Sequence, residues 1–274
     1  MRQRSDVRAP DGTRLAVYEW GDPASPPVLL VHGFAQCHLC FAGQIPALEP
    51  HCRVVAYDQR GHGESEQPGD PAAYQGSRVW ADDMATVIAA KRLERPVLAG
   101  WSMGGRVTRQ YLMVHGDARL GGINFVSSQV IEDPSCRGPD APKLPTEGQT
   151  LAEEIDAAIA FVDGCYGRKP TEAEFRRVLA YNMRVPGWVR RAIAGWSTAA
   201  PPTIDALRRV SVPVLISHGR LDTVVLPGAA EITADTISHA RLSWFDDCGH
   251  SPFVEDAARF NDELVAFVKS TPRP

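Results

Sequence analysis

Nowhere in its 274 residues does the chain offer the roughly 20 consecutive apolar positions that a membrane-crossing helix needs. Neither sign of charge is in excess, since 29 Lys and Arg stand against 33 Asp and Glu for a net charge of -4. That balance gives no electrostatic reason to expect nucleic acid or an anionic membrane surface as a partner, and points instead to a small neutral or mildly polar ligand. Cysteine is sparse: the six, at positions 37, 40, 52, 136, 165 and 248, are scattered as reduced thiols are, with no disulfide framework expected. Cys37 and Cys40 have the spacing of half a zinc knuckle, but no second pair follows, so no metal is expected there. Repeats and low-complexity tracts are absent. The opening residues, Met1 to Asp6, lack the apolar core of a signal peptide, which makes the cytoplasm the expected compartment.

A chain of this length buries roughly three quarters of its unfolded surface in one large domain, or in a domain with an insertion. Short apolar, β-branched runs recur between helical patterns: Leu15 to Trp20, Val28 to Val31, Val54 to Tyr57, Val97 to Ala99, Ile123 to Ser127, Val212 to Ser217 and Leu242 to Phe245. From Val28 onward they are almost continuously hydrophobic, as strands covered on both faces must be. The expected fold class is therefore α/β, a mostly parallel doubly wound sheet. Asp11-Gly12 reads as a hairpin turn, making the N-terminal edge antiparallel. Helices are expected over Ser77 to Lys91, Gly105 to His115 and Phe253 to Lys269, the last with Phe253, Val254, Ala257, Phe260, Leu264, Phe267 and Val268 on one face. After Ile131 the strand pattern stops, prolines cluster from Pro134 to Pro145, and helical segments follow at Leu151 to Val162, Glu172 to Asn182 and Trp188 to Ser197. Residues 1–131 and 210–274 are thus expected to form the core, with 132–209 a helical cap over the strand ends.

The strand at Val97 runs directly into Gly100-Trp101-Ser102-Met103-Gly104-Gly105 and then into a helical pattern. A serine at the apex of so tight a strand-to-helix turn takes strained backbone angles, and nearly side-chain-free neighbours leave it room. A hydroxyl is a poor nucleophile near neutral pH, so Ser102 needs a base in reach and an acid to orient that base. His250 lies in Cys248-Gly249-His250-Ser251-Pro252, between the last strand and the last helix, and Asp222 lies in Gly219-Arg220-Leu221-Asp222, just past a buried strand. Asp246 and Asp247 are too close in sequence to His250 to reach its far nitrogen easily, and Asp58 belongs to a different loop, which leaves Asp222 as the expected third member. Val31-His32-Gly33-Phe34 follows another buried strand, and the backbone N–H groups of Phe34 and Met103 are the expected oxyanion donors. His32 is expected to be a structural hydrogen-bonding residue rather than a second base. Trp101, Trp188 and Trp196 are candidate walls of an apolar substrate pocket.

With these residues in place, the chain resembles the α/β-hydrolase superfamily over essentially its whole length. The resemblance is carried by His32-Gly33-Phe34, by Asp58-Gln59-Arg60-Gly61-His62-Gly63-Glu64-Ser65, by the turn at Ser102, by Gly219 to Asp222 and by Gly249-His250. It is similar to the capped serine-esterase branch, which includes pimeloyl-ACP methyl ester esterases, enol-lactonases and cofactor-free haloperoxidase-like esterases. The resemblance implies hydrolysis of a carboxylic ester or lactone through an acyl-enzyme on Ser102, with no cofactor, and an architectural role for the Asp58 to Ser65 turn. Serine at 102 departs from the aspartate of haloalkane dehalogenases and epoxide hydrolases. The same triad would serve a carbon–carbon bond hydrolase of a ring-cleavage diketone, although Trp101 stands where such enzymes often carry asparagine. A ligand receptor that turns over slowly is a third use of the fold. The physiological ester and the oligomeric state are not legible.

Overall fold

A computed structural model describes residues 3–143, 146–194, 196 and 200–272. Eight strands form one sheet: β1 (Gln3–Arg8), β2 (Arg14–Trp20), β3 (Pro27–Val31), β4 (Arg53–Tyr57), β5 (Val97–Trp101), β6 (Gly122–Val126), β7 (Val214–Gly219) and β8 (Arg241–Phe245). Their order across the sheet is β1-β2-β4-β3-β5-β6-β7-β8. The pairs from β4 to β8 are parallel, while β1 with β2 and β2 with β4 are antiparallel. The expected hairpin is present, with Gly12 at φ 89° closing it. The helices are α1 (Ile45–Leu48), α2 (Ser77–Ala90), α3 (Met103–His115), α4 (Leu151–Gly164), α5 (Glu172–Asn182), α6 (Gly187–Ala194), α7 (Ala200–Arg208), α8 (Gly228–Thr236), α9 (Pro252–Glu255) and α10 (Ala257–Ser270).

Side chains alternate across a strand, and both faces of this sheet are covered. Leu29, Val31, Val55, Tyr57, Leu98 and Ile123 enter one core with residues of α2, α3 and α6. Their neighbours Val28, Leu30, Val54, Ala56, Val97 and Ala99 enter a second core with Phe260, Leu264 and Phe267 of α10. Helices α4 to α7 lie between β6 and β7, and Val189, Ile193 and Leu207 from them join the first core.

Two expectations are corrected. The terminal helix is broken at Asp256, whose φ of -131° and ψ of 61° separate α9 from α10 and leave Val254 exposed rather than on the apolar face. The Glu255 carboxylate, turned inward at that break, accepts from the backbone N–H groups of Gly249 and Arg168 at 2.9 and 2.8 Å, which ties the loop before α9 to the segment after α4. Helix α6 ends at Ala194, short of the expected Ser197, which with Pro145 lies outside the described residues.

Candidate active site

Strand β5 delivers the chain into α3 through Ser102, whose φ of 53° and ψ of -118° lie where residues with a side chain are rare. Surrounding backbone holds this strained residue in place. Its N–H donates to Val126 O at 2.9 Å, and Ser128 Oγ–H donates to Ser102 O at 2.6 Å. A Cβ on Gly100 would stand 2.6 Å from Gly104 O, on Gly104 2.1 Å from Val31 O, and on Gly105 2.2 Å from Ser128 Oγ. Each glycine of the motif therefore has a separate steric reason. Ser128 went unnoticed in the sequence, where Gly105 is its one trace.

The ends of β7 and β8 bring Asp222 and His250 to this turn. His250 Nδ1 lies 2.8 Å from Asp222 Oδ2, and His250 Nε2 lies 2.9 Å from Ser102 Oγ. Because the carboxylate only accepts, Nδ1 carries the proton and Nε2 is free to accept from the Ser102 hydroxyl. His250 and Asp222 are buried, Ser102 partly exposed. Burial alone would raise the Asp222 carboxyl, but attraction to His250 and hydrogen bonds from His218 and His250 hold it well below the usual carboxylate range. The other oxygen, Oδ1, accepts from Val224 N–H and Val225 N–H at 2.9 and 2.8 Å. His218, which the sequence reading missed, reaches Asp222 Oδ2 at 3.2 Å and Val225 O at 2.9 Å through Nε2. The close pass of the two loops requires glycine, since a Cβ on Gly219 would lie 2.0 Å from Gly249 O. The competing acids lie elsewhere: Asp246 pairs with Arg220 at 2.7 Å on the surface, Asp247 is exposed, and Asp58 is buried among other partners.

The turn after β3 lies against Ser102, because a Cβ on Gly33 would come within 3.2 Å of Ser102 Cβ. Among the described residues no protein acceptor takes the N–H of Phe34 or Met103. Ala35 follows at φ 54°, held by donation of its N–H to His62 Nε2 at 3.2 Å. His32 is fully buried; Nδ1 meets Gly33 O at 2.8 Å and Nε2 accepts from Gln59 N–H at 3.0 Å, so it braces the turn with both nitrogens. Cys37, His38 and Asp58 bring three ligand-type atoms within 4.8 Å of one another beside this loop. Asp58 there already accepts from His38 N–H at 2.7 Å and Glu64 N–H at 2.8 Å, and burial pushes the Cys37 thiol up to about 12.

Burial pushes His32 down to about 4 and His62 down to about 3 from the ordinary 6.5. Below about pH 6.5 the unfolded chain binds protons that these folded rings refuse, so stability falls as pH drops from there toward 4 and 3. Asp83 opposes this: burial lifts its carboxyl to about 6, and it adds stability as pH falls from 6 toward the ordinary 3.8. Two histidines with the larger shifts outweigh one carboxyl. The urea midpoint is expected to decline steadily from about pH 7 to about pH 4.5; a flat or rising midpoint would mean that the two rings are not buried neutral.

A cavity of about 150 Å³ opens over Ser102, lined by the apolar side chains of Phe34, Met103, Ile193, Val224 and Val225 and by the polar ones of Arg106, Gln129 and Arg137. None of the three candidate tryptophans is among the described lining residues. Trp101 is buried against Phe253, ring centroids 4.8 Å apart, and its Nε1–H donates to His250 O at 2.8 Å, so it supports the histidine loop. Trp188 packs edge-on to Tyr74 at 6.0 Å, and Trp196 stacks on Trp80 at 4.9 Å. Large aromatic faces bury more area in the core than a small cavity can offer them.

Residues 28–263 match the Alpha/beta hydrolase family, and the chain belongs to that family. The crystal structure of esterase RhEst1 from Rhodococcus sp. ECU1013 superposes with a TM-score of 0.90 at 30% identity, covering 98% of this chain and 99% of that one. A non-heme chloroperoxidase of Streptomyces lividans is 29% identical over 281 residues, spanning 96% of this chain and 99% of its own length. Pimeloyl-[acyl-carrier protein] methyl ester esterase of Nitrosomonas europaea is 28% identical over 255 residues, spanning 86% of this chain and 92% of its own. The expected superfamily and fold class are thereby borne out, and no helix among the described residues is long and apolar enough to cross a membrane.

Proposed function

We propose that the protein is a serine hydrolase of small carboxylic esters or lactones that works through an acyl-enzyme on Ser102. The observation that carries this reading is the hydrogen-bonded chain from the partly exposed Ser102 Oγ through buried His250 to buried Asp222, at 2.9 and 2.8 Å, beginning on a strained turn beside a cavity. In this reading His250 Nε2 takes the hydroxyl proton as Oγ attacks the carbonyl. The oxyanion is held by the N–H groups of Phe34 and Met103, each such donor being worth on the order of 3 kcal/mol. His250 then protonates the leaving alcohol, removes a proton from water, and the acid departs with Ser102 restored. These steps call on no metal, nucleotide or flavin. Residues 132–209 serve as the cap, and 1–131 with 210–274 as the catalytic core.

A cavity near 150 Å³ suits short acyl groups. Turnover of p-nitrophenyl esters is expected to be highest between acetate and butyrate and to fall away by decanoate. One equivalent of an organophosphonate, recovered on the Ser102 peptide by mass spectrometry, should abolish it. Ester turnover that survives complete labelling, or a label on another residue, would refute the assignment. Labelled Ser102 without ester turnover, together with cleavage of a dienone acid followed in the ultraviolet, would favour the carbon–carbon hydrolase instead.

A further inference from the structure

We propose that the cavity over Ser102 recognises an acyl group bearing a second carboxylate, held by Arg106 together with Arg137 and Gln129. This deepens the hydrolase reading and rests on it for the identity of the reacting ester.

Arg106 is one helical turn beyond Ser102, its N–H reaching Ser102 O at 3.4 Å. Both residues line the same cavity of about 150 Å³, a volume suited to the acyl part of a short diacid. Of the five N–H donors of its guanidinium, the described bonds use only Nη2, to Glu132 at 3.2 Å and to Trp196 O at 3.0 Å. Its Nε is buried without a partner among the described residues, although the side chain as a whole is about one third exposed at the cavity wall.

Charge on this wall is not balanced. Arg109, fully buried, directs its described ion pair to the same Glu132 at 3.5 Å, so two guanidiniums share one carboxylate. Arg137 adds a third cation at the cavity, and its described bond goes only to the neutral carbonyl of Pro142 at 3.0 Å. Burial pushes the Arg106 guanidinium below its ordinary value against the opposing pull of Glu132, with a smaller lowering from Arg137, while burial and then the neighbouring Arg106 take Arg109 down to about 10. A cluster held under-neutralised next to a nucleophile favours an anionic guest, and a guanidinium grips a carboxylate with directed, charge-assisted bonds. Ile193, Val224 and Val225, which line the same cavity, supply apolar surface for the methylene spacer.

The test compares kcat/KM for monoethyl glutarate and ethyl pentanoate by titrating released acid. The anionic ester is expected to be preferred by about tenfold or more. Arg106→Gln should collapse that ratio, Arg137→Gln should reduce it, and Arg106→Lys should retain part of it. Because Arg106 also holds Glu132 and Trp196 O, melting curves accompany each variant, and Arg137, which is exposed, provides the substitution least tied to folding. Calorimetric binding of glutarate against pentanoate supplies a readout that needs no turnover. A wild-type preference for the neutral ester, or a ratio unmoved in variants that melt normally, overturns the proposal while leaving the esterase reading intact. Glutarate bound through Arg106 with neither ester cleaved supports the carboxylate site and rejects the esterase reading.

Discussion

Asp222→Asn is expected to lower kcat by about four orders of magnitude while the protein still folds. Oδ1 of Asp222 accepts two backbone N–H groups, from Val224 and Val225. An asparagine keeps those two bonds only by turning its carbonyl oxygen toward them, which leaves its NH2 group facing His250 Nδ1 at the present 2.8 Å. An amide NH2 donates, so Nδ1 must offer its lone pair and the imidazole proton moves to Nε2. A protonated Nε2 cannot accept the Ser102 proton, and the base is lost although every heavy atom is where it was. Folding is spared because the turn keeps both backbone bonds and His218 still has Val225 O at 2.9 Å. The measurement is kcat beside a melting curve. Near-normal turnover would mean that another group orients His250, and the surface positions of Asp246 and Asp247 leave no obvious substitute.

The sequence disclosed the parts of this molecule that follow from period and from chain order. Buried parallel strands are short and apolar on both faces, so β3 to β7 could be located by composition alone, and the loops after β5, β7 and β8 carry glycines beside the residues that meet at Ser102. What escaped was decided by contacts far apart in sequence. Helix α7 is not among the expected helices, and its Pro201 and Pro202 occupy the first turn, where the missing N–H costs nothing. Trp101 was given to the pocket because it adjoins Ser102, but successive residues of a strand point to opposite faces, and its ring enters the core under the histidine loop. The polar wall of the cavity was invisible for a different reason. Arg106 reads as an ordinary helix residue until Glu132, from beyond β6, is found shared between it and Arg109 of the same helix.

Gly104→Ala and Gly105→Ala, adjacent and chemically identical changes, are expected to fail in different ways. At Gly104 the new methyl would lie 2.1 Å from Val31 O and 2.8 Å from His32 O, both backbone atoms at the end of β3. Relief requires that strand end to retreat from α3, and it leads directly into Gly33 and Phe34. Overpacking of this kind costs about 1–3 kcal/mol of stability, and a displaced oxyanion donor costs about 10²–10³ in kcat. No side-chain deletion can restore either loss. At Gly105 the methyl meets Ser128 Oγ at 2.2 Å and Ser128 Cβ at 2.6 Å, both parts of one side chain. Adding Ser128→Gly removes both atoms, so the double variant should recover most of the stability lost by Gly105→Ala, although the bond from Ser128 Oγ to Ser102 O is forfeited. A double-mutant cycle on urea midpoints and kcat therefore separates the two glycines, with strong coupling for Gly105 and Ser128 and none for Gly104 and Ser128. Equal behaviour of the two pairs would mean that the turn relaxes as a unit and that Gly104 is not what fixes the spacing between Ser102 and the loop after β3.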